Sequence, residues 1–317
     1  MNKTEDTNQI NKNQDENNNE DVSDDEEEIK EPSTINELLE FNKIEKITLN
    51  ELEIENFIAE GGQAKVYKGK LISKNVYVAI KIMYNIDWTC FFREVTILSK
   101  LQHSLIPKFY GVLLDQKKGK VIIGMVSEYI KGETLENYDY ELIKEELKLP
   151  LIKSLAETFE YVHRMNFIHR DLNLANLILG EDFKAHIIDF GIAKITKSSQ
   201  TYTRAKGTVN FLAPETLIVS NYDEDDMIIS EISNKVDIWS FGCILSYLYS
   251  GVKPWCNEYK DNPAVIQQNL IKQIEFPIPG IIKENNEKIW EIIKCCTNVK
   301  AEKRVSFKEV VVMLNNC

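Results

Sequence analysis

A few polar side chains stand at points where apolar runs give out, and their types suit phosphate and cation chemistry. Asp189 ends the apolar run AHII, a strand pattern that delivers a carboxylate to the mouth of a cleft, and is followed by Phe190 and Gly191. Asn176, the last residue of HRDLNLAN (His169–Asn176), supplies a neutral amide oxygen. Oxygen donors of these two kinds are what a hard divalent cation prefers. Asp171 in the same run adds a second carboxylate. Lys81 closes VAIK (Val78–Lys81) and Glu94 lies in REV (Arg93–Val95), an opposite charge further along. The stretch IAEGGQAKVY (Ile58–Tyr67) fits G-x-G-x-x-G-x-V with Ala59, Gly61 and Ala64 at the glycine positions and Val66 at the end. Two of the three glycines are absent. Read alone, it is a phosphate-holding loop, a decayed one or an ordinary hairpin turn.

Elements must exist to position these groups. From about Leu52 to Tyr84 the pattern is strand-like: AKVYKGKLI alternates, and VYVAIKIM is rich in β-branched residues. WTCFFREVTILSKLQH places Phe91, Val95, Leu98 and Leu101 at helical spacing. KFYGVLLD and VIIGMVSEYI read as strands around a turn at Lys117–Gly119. After Gly132 the chain is mostly helical, with LPLIKSLAETFEYVHRMN carrying Ile152, Leu155, Phe159 and Val162 on one face, and NLILG and AHIIDFG as short strands. The expected class is α+β: a small β-rich lobe at about 49–128 and a larger helical lobe at about 131–317. Such a pairing invites a ligand cleft between the lobes.

The totals bound the rest. The chain has 317 residues and a net charge of -12. Residues 1–34 hold twelve acids against three lysines, a balance of -9, so the other 283 residues carry only -3. A nearly neutral body gives no electrostatic case for nucleic-acid binding. Residues 1–34 are rich in Asn, Asp and Glu and almost without large apolar groups, which predicts disorder; residues 35–50 are a weakly helical or extended lead-in. Residues 1–48 are thus expected as tail and lead-in, and 49–317 as the folded domain. The six cysteines show no metal-ligand spacing and read as reduced thiols. With no apolar leader and no run of about 18 apolar residues, a cytoplasmic protein without a membrane span is expected.

In order and spacing, the set VAIK, REV, HRDLNLAN, DFG (Asp189–Gly191), APE (Ala213–Glu215), DIWSFG (Asp237–Gly242) and a late Arg304 resembles the eukaryotic protein kinases. The resemblance implies a bilobal kinase fold and an ATP- and Mg2+-dependent transfer of phosphate to protein substrates. It implies that Lys81 grips the α/β-phosphates while pairing with Glu94, that Asn176 and Asp189 hold Mg2+, and that Asp171 accepts the substrate's hydroxyl proton. His169 is expected to pack beneath Phe190, and Glu215 and Arg304 to form a buried ion pair. The nucleotide site is expected to draw on the whole loop: Ile58, Ala59, Glu60, Gly61, Gly62, Gln63, Ala64, Lys65 and Val66. Ala79, Glu128, Ile130 and Ile178 complete it, with Ser127 at the gatekeeper position. Arg170 implies an activation segment controlled by phosphorylation, expected at Thr201 or Thr203, by an upstream kinase or by the protein itself.

The chain also departs from the pattern. Asn173 stands where serine/threonine kinases usually place a lysine, yet GTVNFLAPE resembles their segment rather than that of tyrosine kinases. The mixture is most like the tyrosine-kinase-like group of serine/threonine kinases, and points to Ser/Thr hydroxyls. A tyrosine or dual-specificity kinase, and a pseudokinase serving as a nucleotide-binding scaffold, are the alternatives. An acidic insertion at 219–234 is a candidate surface for basic substrates or a partner, or a solvated loop without a role.

Overall fold

The computed structural model describes residues 34–191, 193–195, 209–218, 233–256 and 262–317. The acidic tail, the acceptors Thr201 and Thr203, and nearly all of the 219–234 insertion lie outside them. The chain divides into units 1–31 and 32–317, and the second is the one described.

Its first part is a six-stranded sheet in the order β1-β5-β6-β4-β3-β2. The strands are β1 (Lys46–Ile47), β2 (Leu52–Glu60), β3 (Ala64–Leu71), β4 (Val76–Met83), β5 (Phe109–Lys117) and β6 (Lys120–Glu128). All neighbours are antiparallel except β1 and β5, which run parallel. The β-branched run of β4 occupies an interior place in that order, where both faces find cover. On one face Val78, Ile80, Leu113 and Val126 pack with Ile47, Leu52 and Leu71. On the other, Met125, Val112 and Ile123 pack with Phe91 and Val95 of α2 (Trp88–Lys100), as the helical spacing requires. Asp87 caps α2, its side chain accepting the N–H of Cys90.

The lead-in belongs to this lobe. α1 (Ile35–Phe41) buries Leu38 and Leu39 in the α2-facing core, and Ile47 of β1 is fully buried in the other. The Val112 N–H donates to Glu45 O at 3.0 Å. Gly111 permits that approach, since a Cβ there would overlap the Glu45 carbonyl oxygen. Folded structure therefore begins before residue 49.

The second part is helical around one large core. α3 (Glu145–Arg164) sets Leu151, Ile152, Leu155, Phe159 and Val162 inward. After the short α4 (Glu215–Ile218), α5 (Lys235–Ser250) is apolar nearly all round and is buried from Val236 to Leu248, which makes it the axis of the lobe. Between α3 and α5 lie β8 (Phe167–Ile168), β9 (Leu177–Gly180) and β10 (Ala185–Ile187), with β9 paired to both β10 and β7 (Gly132–Thr134). These short strands carry the loops that hold the polar residues singled out in the sequence. No helix among the described residues is long and apolar enough to cross a membrane.

Candidate active site

Lys81, near the end of β4, and Glu94, midway along the buried face of α2, meet at 2.7 Å. Lys81 Nζ also lies 3.4 Å from Oδ1 of Asp189. Glu94 is 6% exposed, so its carboxylate depends on this pairing. Burial disfavours the Lys81 ammonium, but the attraction of Glu94 and Asp189 outweighs it and holds the group above the ordinary lysine range. Burial likewise opposes the charged form of Asp189. Lys81 and the Gly191 N–H, which donates to Oδ1 at 2.9 Å, prevail and keep this carboxyl below its usual value.

The turn that carries Asp171 and Asn176 is anchored from beneath. Asp237, buried on α5, accepts the backbone N–H of His169 at 2.9 Å and of Arg170 at 2.8 Å, and pairs with Nε2 of His163 at 2.8 Å. Arg170 has φ +68°, and its N–H is one of the donors that hold the turn. The His169 ring packs edge-on against Phe190 at 4.8 Å between centroids, and both residues are buried. His169 is thus a packing residue linking the two polar loops.

Asp171 is held by two amides: Nδ2 of Asn173 donates to Oδ1 at 2.8 Å and Nδ2 of Asn176 to Oδ2 at 3.0 Å. Burial moves the Asp171 carboxyl above the usual carboxylate range, against the pull of His169 and the two asparagines. With its NH2 committed to Asp171, Asn176 presents its oxygen as the remaining ligand atom. That amide oxygen and the Asp189 carboxylate, with Lys81 beside them, are a donor set that fits a divalent cation and the phosphates it would accompany.

The residues expected to line a nucleotide site separate by face. Val66 pairs with Lys81 across β3 and β4, Ala59 with Val66, and Ala79 with Ser127, so Ala59, Val66, Ala79 and Ser127 share the Lys81 side. Glu60 and Lys65 pair with each other and Lys65 with Ile82, which turns both side chains to the opposite face. There they form an ion pair at 3.4 Å and line a cavity of about 320 Å³ with Tyr67, Ile82 and Tyr84. The side chains of Glu60 and Lys65 are therefore not brought to Lys81, as the strand alternation requires. Ile58 lies at a register shift between Phe57 and Ala59.

The loop is a hairpin, closed by the Gly61 N–H donating to Ala64 O at 2.9 Å. The Tyr84 hydroxyl donates to Gly61 O, and the Tyr84 N–H to Gln63 O at 3.0 Å. A Cβ at Gly61 or Gly62 would meet nothing within 4 Å. The protein's own packing does not demand glycine at either position, and the room they leave is at the loop tip, where a phosphate would need it. At the interlobe connection the Glu128 N–H is taken by Lys108 O at 2.8 Å and that of Tyr129 by Tyr77 O at 3.3 Å, whereas no described residue takes that of Ile130. Ile178, on β9, pairs with Thr134 of β7.

Two anchors escaped notice as such in the sequence: His163 and the capping Asn173. His163 carried only a weak signal, a histidine in the last turn of an amphipathic helix, while Asn173 had the stronger one of an Asx residue before a short turn.

Comparison with known proteins agrees with this geometry. Residues 52–313 match the protein kinase domain model. A probable LIM domain-containing serine/threonine-protein kinase of Dictyostelium discoideum is 31% identical over 278 residues, covering 84% of this chain and 39% of that protein. Cysteine-rich receptor-like protein kinase 1 of Arabidopsis thaliana is 26% identical over 312 residues, 90% of this chain and 47% of its own length. Serine/threonine-protein kinase STY17 of Arabidopsis thaliana is 26% identical over 280 residues, 85% and 45% respectively. The chain spans less than half the length of these relatives.

Proposed function

The chain belongs to the protein kinase family, and from that premise we propose that it is an ATP- and Mg2+-dependent serine/threonine kinase of the tyrosine-kinase-like group, acting on protein substrates. The observation that supports this best is the joint arrangement of Lys81 with Glu94 and Asp189 on one side and Asp171 with Asn176 on the other.

In this reading Lys81, oriented by Glu94, holds the α- and β-phosphates, while Asn176 and Asp189 hold the cation. A bound divalent cation would neutralise phosphate charge during transfer. Asp171 accepts the proton of the substrate hydroxyl as its oxygen bonds to the γ-phosphorus and the bond to the β-phosphate oxygen breaks. Ile130 offers its backbone to adenine, and Ala59, Val66, Ala79 and Ile178 enclose the ring. Phosphorylation at Thr201 or Thr203 regulates the site through Arg170, and the cytoplasm is the proposed compartment. The named serine/threonine kinases among the relatives favour Ser/Thr over Tyr.

The test is transfer of radiolabel from ATP to a mixed protein substrate by wild type and by Asp171→Asn, followed by phosphoamino-acid analysis. Labelled Ser and Thr in the wild type and at least a hundredfold less label in the variant are expected. Equal labelling, or none in either, supports a scaffold instead; labelled Tyr supports the tyrosine or dual-specificity alternative.

A further inference from the structure

Asn173 occupies the place where serine/threonine kinases usually carry a lysine, and its side chain is committed to its own turn. It is 4% exposed and caps the short turn Leu174–Asn176. Its Oδ1 accepts the N–H of Ala175 at 2.9 Å and of Asn176 at 3.1 Å. Its Nδ2 donates to Oδ1 of Asp171 at 2.8 Å and to the Asp171 carbonyl at 3.2 Å. From the other end of the same turn, Nδ2 of Asn176 donates to Oδ2 of Asp171 at 3.0 Å and to the same carbonyl at 2.8 Å.

We propose that Asn173 is a positioning residue that sets the orientation of the Asp171 carboxylate, and that this loop supplies no cation to the phosphates. The proposal rests on the reading above, in which Asp171 receives the substrate proton. A carboxylate turns readily about its last torsion. One amide on each oxygen fixes its plane, and with it the directions of the remaining lone pairs. The Asn173 side chain is itself held, because its oxygen receives the backbone N–H of Asn176.

The chemistry of the position selects asparagine. It must accept two backbone N–H groups and donate to a carboxylate within one short side chain. Serine accepts but its hydroxyl does not span both roles here. Aspartate accepts and has no donor. Lysine donates, cannot cap, and would carry its charge into a buried place. Asparagine at this position is thus a different solution from the phosphate-gripping lysine rather than a weakened one.

The experiment compares wild type with Asn173→Ser, Asn173→Asp and Asn173→Ala by steady-state kinetics, thermal melting and crystal structure. Ser keeps the cap, but its shorter side chain does not carry a donor to Asp171; Asp keeps the cap and sets a second carboxylate against Asp171 in a buried place, so it should melt lower. Asn173→Ser should melt close to wild type, with kcat lower by about ten- to a hundredfold and the KM for ATP within twofold. The crystal structure of Asn173→Ser should show the Asp171 carboxylate turned or in two orientations. A KM for ATP raised tenfold with kcat held would make Asn173 a phosphate contact and overturn the proposal. So would losses that follow the melting temperature alone across the three variants. If wild type transfers no phosphate, the enzymatic reading falls, and the Asp171 orientation in Asn173→Ser still decides: an unmoved carboxylate overturns the positioning role.

Discussion

Arg304 grips Glu215 through two parallel bonds, Nη1 to Oε1 at 2.7 Å and Nη2 to Oε2 at 2.8 Å, joining residues 89 apart in sequence. The guanidinium also donates to Asn298 O and Lys235 O, and lies over the Trp239 ring with 5.0 Å to its centroid. Arg304→Ala would leave a carboxylate and two carbonyls without their donor. Breaking such a buried pair costs about 3–5 kcal/mol. Chemical denaturation should therefore show a protein near the limit of stability, and a wild-type midpoint would remove the pair from any structural role.

Lys81 and Glu94 give a second, separable prediction. Lys81→Met strands the buried Glu94 carboxylate, so it should lower the melting temperature as well as abolish transfer. Adding Glu94→Gln replaces the stranded charge with a neutral amide, and should recover most of the melting temperature while transfer stays lost. If the second change restores nothing, the stability loss comes from packing rather than from charge.

Asp237 makes stability depend on pH. Burial opposes its charged form, but the His163 side chain and the Arg170 N–H overcome this and hold the carboxyl below the ordinary range. A carboxyl depressed on folding stabilises the fold above its unfolded pKa, about 3.9, and that contribution is lost as pH falls through the folded value. Asp237→Asn should be less stable than wild type at pH 7, and the gap should narrow below about pH 4. Unfolding curves between pH 3 and 7, compared for the two proteins, check this; parallel curves would contradict it.

Ser127 faces the Lys81 side of the sheet and pairs with Ala79. In the proposed nucleotide site a side chain this small would leave room behind the adenine, so bulky adenine-like inhibitors should bind wild type and lose about a hundredfold in affinity to Ser127→Met, about 2.7 kcal/mol, with ATP affected little. Calorimetry with both ligands tests it, and equal inhibitor affinity in the two proteins sinks the idea.

Restoring glycine at Ala59 and Ala64 should change apparent ATP affinity by less than tenfold, about 1.4 kcal/mol. Ala64 is 6% exposed and sits in a strand, so its replacement should also cost roughly 0.5–1 kcal/mol of stability. A variant that gains transfer from nothing would identify the natural loop as a relic.

Much of this was legible in the amino-acid sequence because it was local. VYVAIKIM is β4 from end to end, and the spacing of Phe91 and Val95 produces the buried face of α2. The faces of Glu60 and Lys65 were also legible, since residues adjacent to Val66 and Ala59 must turn away from Lys81. What stayed hidden depends on distant partners. Nothing near Asp237 announces that its acceptors lie under His169 and Arg170, 68 and 67 residues away. The lead-in was hidden for the same reason, although Gly111 inside a strand pattern was a signal of close backbone approach.

That lead-in has a practical consequence. β1 and Glu45 cover the outer backbone edge of β5 at Val112 and Leu113. Trimming the chain at residue 49, the boundary the sequence pattern suggests, would bare a ready template for pairing between molecules and uncover the sites of Leu38 and Ile47. Recombinant protein intended to stay dispersed should begin ahead of Thr34.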